Sequence, residues 1–132
     1  MTVLADTSIW IDFYRGREPN AEGLARLIRQ QDVIICGPVV AELIAEAPED
    51  RREELDEALG ALPFIPLGDG EWREAGVRAY ELRRRGGAVP LLDILIAVAA
   101  TRAAAALWTR DEHFARIGQV LPSFALYGDP VE

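Results

Sequence analysis

Apolar residues along this chain recur in two rhythms. Val3-Leu4-Ala5, Val33-Ile34-Ile35-Cys36 and Ala106-Leu107-Trp108 are short unbroken apolar runs that read as buried strands, and Phe64-Ile65 and Ser123 to Leu126 read as two more. Between them the apolar positions fall three and four residues apart, the period of helices. Asp6-Thr7-Ser8 opens a helix carrying Ile9, Trp10, Phe13 and Tyr14, and Gly16 ends it. A second, from about Asn20 to Gln31, places Leu24, Leu27 and Ile28 on one face. Gly37-Pro38 starts a third, with Val39, Val40, Leu43 and Ile44 apolar. After Pro48 an acidic helix buries Leu55, Ala58, Leu59 and Leu62. Gly70 to Arg85 carries Trp72, Ala75, Ala79 and Leu82 on one stripe and stops at Gly86-Gly87. Pro90 begins the most apolar helix, to about Ala104, and Asp111 to Ile117 forms a short one. Short strands alternating with helices predict an α/β fold, with a parallel sheet covered by helices on both faces.

The length of 132 residues fits one domain over residues 1–132, and 50% apolar content is enough for a core. The longest apolar stretch near Asp93, Ile94 to Ala100, falls far short of the roughly 18 residues of a membrane span. The opening Met1-Thr2-Val3-Leu4-Ala5-Asp6 lacks the basic region of a signal peptide. The single cysteine, Cys36, sits inside an apolar run as a buried free thiol, which fits a reducing cytoplasm. It excludes disulfide scaffolds and Cys-based zinc sites, and the lone His113 leaves no His-rich zinc chemistry.

The formal net charge is −8, but it is localised. Half belongs to the segment Glu49 to Glu57 and half to four acids elsewhere, so the remainder of the chain is neutral. That distribution is compatible with a nucleic-acid substrate and argues against tight non-specific binding by the protein alone. All 14 basic residues are arginine. Without lysine there is no P-loop and no Schiff-base chemistry.

The four acids are Asp6, Glu42, Asp93 and Asp111. Asp6 and Asp111 follow strands one and four, where sites form in open α/β sheets, and Glu42 lies early in the helix after strand two. Asp93, near the start of its helix, is the only charge between Ala88 and Ala100 and is expected to be buried. Each has an ordinary alternative. Asp6 and Asp111 suit helix starts, and Glu42 with Glu46 could mark a solvent face. A buried Asp93 needs a counter-charge, and no lysine or histidine nearby in the sequence offers one. A hard divalent cation held jointly, Mg²⁺ or Mn²⁺, supplies it.

Asp6-Thr7-Ser8, Val40-Ala41-Glu42-Leu43, Pro90-Leu91-Leu92-Asp93-Ile94-Leu95-Ile96-Ala97 and Thr109-Arg110-Asp111-Glu112-His113-Phe114 together resemble PIN-domain ribonucleases. The likeness is nearest to the VapC toxins of bacterial toxin–antitoxin pairs, and it runs from residue 3 to about residue 126. It implies a single PIN-like nuclease domain, a three-layer α/β/α sandwich with a mainly parallel central sheet. It also implies endoribonuclease activity dependent on one or two Mg²⁺ or Mn²⁺ ions, a cognate antitoxin and a homodimer. By position, Asp6, Glu42, Asp93 and Asp111 become the metal site, with Ser8 and Thr109 orienting carboxylates or water. Many relatives carry a further acid where this chain has His113, which reads here as a surface or supporting residue.

Arg110, Arg15 and Arg17 are candidates for RNA phosphates, as is the run Arg83-Arg84-Arg85, although positive charge also suits the last turn of a helix. Trp10, Phe13 and Tyr14 read as core, with a partly exposed subset available to receive an antitoxin helix, and Trp72 and Tyr80 as possible additions. Two rivals remain. Phospho-receivers and aspartyl phosphatases also place an Asp after strand one, but they resemble families that use a lysine this chain lacks. A catalytically silent PIN-like binding or scaffold module is the other.

Overall fold

A computed structural model describes residues 1–128. Its sheet is built around β1 (Val3–Ala5), paired on one side with β2 (Val33–Cys36) and on the other with β4 (Ala106–Trp108). Beyond β2 lies β3 (Phe64–Ile65), giving the order β3-β2-β1-β4, and every pairing is parallel. All residues of β1 and β2 are buried, which requires cover on both faces of the sheet. This is the expected α/β sandwich.

The helices are α1 (Thr7–Tyr14), α2 (Asn20–Arg29), α3 (Gly37–Glu46), α4 (Arg52–Gly60, entered through a 3₁₀ turn at Glu49–Arg51), α5 (Asp69–Arg84), α6 (Leu91–Arg102) and α7 (His113–Ile117). Helix α1 packs on α2 and α3, and α6 packs on α5, α3 and α7. From Ile94 to Ala100 every residue of α6 is buried, so this helix is hydrophobic all round because it is enclosed all round. Full burial of one Leu or Ile side chain contributes about 1.5–3 kcal/mol. Arg102 at the end of α6 reaches Glu74 of α5 at 3.1 Å, and Glu74 also pairs with Arg78, tying the two helices on their outer edge.

The expected helices end slightly early, for a local reason. Gln31 and Ala104 both adopt left-handed backbone (φ 61° and 53°), which stops α2 and α6 before the positions that apolar spacing suggested. Gly16, at φ 67°, makes the same stop after α1 without a side-chain penalty. Two further expectations need correction. Ser123 to Leu126 does not form a strand of its own; it contributes one parallel bridge, Leu107 to Leu126, because Leu121 to Phe124 turns back on itself first. Trp72 lies on the outside of α5 at 53% exposure, so the stripe that packs inward runs through Ala75 and Leu82. In α4, Leu55 and Leu59 are buried while Ala58 is exposed.

The order β3-β2-β1-β4 places the reversal of winding between β1 and β4. Crevices in open α/β sheets form there, beyond the carboxyl ends of the strands. No helix among the described residues is long and apolar enough to cross a membrane.

Candidate metal centre

Ala5 and Trp108 are register partners at the ends of β1 and β4, so the residues that follow, Asp6 and Thr109, leave the sheet side by side. The backbone confirms the junction: the Asp6 N–H donates to the Trp108 carbonyl at 2.9 Å. Asp6 is 5% exposed and caps α1, accepting the Ile9 N–H on Oδ1. The capping alternative and the site alternative are therefore compatible. Ser8 Oγ donates to Asp6 Oδ1 at 2.5 Å and Thr109 Oγ1 donates to Asp6 Oδ2.

Those two hydroxyls do the same thing from opposite sides. Each gives its proton to Asp6 and accepts a backbone N–H from the loop after β4. Ser8 Oγ accepts from Arg110 N at 3.1 Å, and Thr109 Oγ1 accepts from Asp111 N at 2.9 Å. Because hydroxyls both donate and accept, Ser or Thr at these positions can lock a carboxylate to a loop; an apolar residue could not. Glu42, on α3, is held by the Thr7 hydroxyl at 2.7 Å, so α1 also orients the acid that arrives from β2.

Asp93 lies in the first turn of α6, its N–H bonded to the Pro90 carbonyl. It is half-buried rather than buried, with its side chain 18% exposed toward the crevice; complete burial begins one residue later, at Ile94. Burial pushes its carboxyl up from 3.8 to about 6, and the charges of Asp111, Glu42 and Asp6 push in the same direction. Asp93 thus senses the charges of the other three predicted acids. Burial also raises Asp6, against the lowering effect of the Ser8 and Thr109 hydroxyls. Asp111 stands 39% exposed at the mouth, its Oδ1 accepting the His113 N–H at 2.9 Å.

His113 comes closer than its sequence position suggested. Its Nδ1 is 3.3 Å from Asp111 Oδ1 and 3.9 Å from Asp93 Oδ2, while the ring stays half exposed. One donor atom from each of Asp93, Asp111 and His113 lies within 4.8 Å of the other two. The expectation that no imidazole stands near Asp93 is therefore corrected, because α7 begins beside the α6 N-terminus.

The predicted arginines separate. Arg110 Nε is 2.8 Å from Asp12 Oδ2, and its Nη2 donates to the Ser8 carbonyl at 3.3 Å. Arg17 Nη1 stands 3.7 Å from the other oxygen of Asp12. Arg15 forms no ion pair among the described residues and lies in an apolar groove between α1, α3 and α4. Asp12 itself was missed by sequence reasoning. It is 3% exposed, accepts Asn20 Nδ2 at 2.9 Å, and joins α1 to the loop that carries Thr109 and Asp111.

Three comparisons with known proteins bear on this arrangement. The family model described as the PIN domain matches residues 3–120. The chain belongs to the PIN domain family. Its fold is similar to VapBC from Salmonella typhimurium bound to DNA, with a TM-score of 0.75 and 21% identity over 96% of each chain. VapBC2 from Rickettsia felis, bound to a DNA fragment from its promoter, gives 0.74 and 22%, covering 96% of this chain and 97% of that one. A toxin–antitoxin complex from Klebsiella pneumoniae gives 0.74 and 21%, covering 95% of this chain and all of that one. The comparison with curated proteins gives no significant match.

The donor set fits a divalent cation. Carboxylate oxygens suit Mg²⁺ and Mn²⁺, and the elevated carboxyl of Asp93 registers negative charge that a cation would neutralise. Of the four predicted acids, Asp93 and Asp111 bring ligand atoms within 4.8 Å of each other and of His113.

Proposed function

We propose that this PIN domain is a VapC-type endoribonuclease, the toxin of a toxin–antitoxin pair, which hydrolyses RNA phosphodiester bonds with Mg²⁺ or Mn²⁺. The observation that carries the reading is the meeting of four carboxylates at the crevice between β1 and β4, where burial first, and then the charges of Asp111, Glu42 and Asp6, raise Asp93. Held by these carboxylates, one or two cations would supply activation of a water for in-line attack and charge to offset the phosphate oxygens. Asp6, Glu42, Asp93 and Asp111 are the catalytic and metal-holding set. Ser8 and Thr109 fix the rotation of Asp6 by donating to both of its oxygens; with the Ile9 N–H also on Oδ1, Oδ2 keeps one lone pair for a cation. No protein nucleophile is needed, so the absence of lysine and the burial of Cys36 cost nothing.

Arg110, Arg15 and Arg17 are the arginines offered to RNA phosphate, and of these three Arg15 is the one without an ion pair among the described residues. Asp12 holds both Arg110 and Arg17, which keep part of each guanidinium exposed.

An antitoxin partner is supported by the neighbours of known structure, which are toxin–antitoxin assemblies. A groove of about 510 Å³ lined by Ile11, Tyr14, Leu43 and Leu55 suits one apolar helix face. Exposed Trp72, Val77 and Tyr80 on α5 support a homodimer. A buried, unpaired Cys36 supports residence in a reducing cytoplasm.

The test is cleavage of a structured RNA pool by antitoxin-free protein in Mg²⁺, in Mn²⁺ and in EDTA, beside Asp93→Asn prepared identically. Metal-dependent cleavage that the variant lacks is the expected result. Equal cleavage by both proteins would remove Asp93 from the site. A folded, metal-binding protein that cleaves nothing would be the silent binding module instead.

A further inference from the structure

We propose that His113 is a direct ligand of the cation, through Nδ1, so that this site presents nitrogen beside oxygen and prefers Mn²⁺ to Mg²⁺. The inference rests on the metal-site reading above and adds to it a donor that reading does not contain. Its ground is the distance pattern. Nδ1 stands 3.3 Å from Asp111 Oδ1 and 3.9 Å from Asp93 Oδ2, and His113 makes no side-chain hydrogen bond to either. Nitrogen-to-oxygen hydrogen bonds close to about 2.7–3.2 Å, so the ring faces two carboxylates without seating on them. Neighbouring donors on an octahedral ion with bonds of about 2.1 Å stand about 3.0 Å apart. The 3.3 Å pair lies near that spacing, and with all three donor atoms within 4.8 Å of one another a small inward shift of the ring brings them onto one ion.

The backbone prepares that arrangement. The His113 N–H donates to Asp111 Oδ1 at 2.9 Å, so ligand and neighbour are fixed to each other before any ion arrives. Asp111 is in turn fixed to Thr109, and Thr109 to Asp6. The ring is therefore the last member of a chain of contacts that begins at the most buried acid of the cluster.

The chemical consequence follows from the donor type. Mg²⁺ takes oxygen and gives up its waters reluctantly, so an imidazole at the mouth adds little for it. Mn²⁺ accepts both carboxylate oxygen and imidazole nitrogen more readily, and gains a ligand. With aspartate at the same position the site would be all oxygen and the preference would narrow.

The chain has a single histidine, which makes the experiment unambiguous. Mn²⁺ bound to the full chain is examined by pulsed electron paramagnetic resonance for coupling to ¹⁴N. Mn²⁺ and Mg²⁺ affinities are then measured by calorimetry on wild type, His113→Ala and His113→Asp. We expect nitrogen coupling in wild type only, with a Mn²⁺-to-Mg²⁺ affinity ratio at least about tenfold above that of His113→Asp. Tight Mn²⁺ binding without nitrogen coupling, or a ratio unchanged among the three proteins, overturns the His113 assignment and leaves the four-acid site standing. Failure of wild type to bind either ion overturns both. Thermal unfolding of each variant checks that the comparison is among folded proteins.

Discussion

Replacing Asp93 by asparagine is expected to stabilise the metal-free fold at neutral pH. Unfolded, the Asp93 carboxyl ionises near 3.8; folded, burial and three neighbouring acids raise it to about 6. Between those values the unfolded chain has released a proton that the native chain still holds, so rising pH favours unfolding. The penalty is absent below pH 3.8, grows through the interval, and is complete above about pH 6. At about 1.4 kcal/mol for each pH unit between the two values, it amounts to about 3 kcal/mol at most. Water reaches this side chain, which is 18% exposed, so a realised gain of about 1–3 kcal/mol is the working figure. For 132 residues, an unfolding entropy of about 2.1 cal/mol/K per residue converts that gain to about 4–11 °C in Tm. Asparagine has nearly the same shape and cannot ionise, so it should collect the gain without a packing loss. The assay is thermal unfolding of both proteins in EDTA from pH 4 to pH 8. The variant's advantage should be small at the acid end and flat above pH 6, and a hundredfold excess of Mn²⁺ over its dissociation constant should return about 2.7 kcal/mol to wild type. An advantage independent of pH, or none at pH 7.5, would show that neither burial nor the neighbouring acids raise Asp93 in the folded protein.

Asp12→Ala should lower stability by about 2 kcal/mol in urea unfolding, because it removes charged hydrogen bonds while letting half-exposed Arg110 and Arg17 return to water. RNA cleavage should fall with it, since the loop bearing Thr109 and Asp111 loses its tether to α1; full stability would discount the tether. Burial pushes the Cys36 thiol up to about 11, so at pH 8 the native protein should resist iodoacetamide and react only when unfolded, as read by mass spectrometry. Rapid native labelling would contradict the enclosed position of β2. Ile96→Ala, at the centre of α6, should cost about 2–5 kcal/mol by leaving a cavity, seen as a lower denaturation midpoint at constant slope.

The elements were legible wherever one local property decided them. Fully covered strands must be apolar throughout, and α6 must be apolar on every side, so both announce themselves. The four acids were legible because a charge in such a run is costly without a purpose. Asp12 carries the same mark, the one charge within Ile9-Trp10-Ile11-Asp12-Phe13-Tyr14, and it escaped because an acid on a short amphipathic helix reads as its wet side. Its explanation, Arg110, is far away in the chain and becomes visible only once β1 pairs with β4. Trp72 was misplaced for the opposite reason: helical spacing defines a stripe but not which stripe faces inward. His113 sits beside Asp93 through the packing of α7 on α6, a contact that no local pattern encodes.

The pairing of β1 with β4 has a consequence in time. Asp6 leaves the ribosome well ahead of the hydroxyl that locks it, which lies 103 positions later. Until β4 has been made and has slid in beside β1, the early carboxylates hang on a chain with no crevice to face. Such long-range parallel pairing is intrinsically slow to form. Whatever reaction this centre performs is therefore withheld from the nascent polypeptide until a pairing across 103 positions has closed.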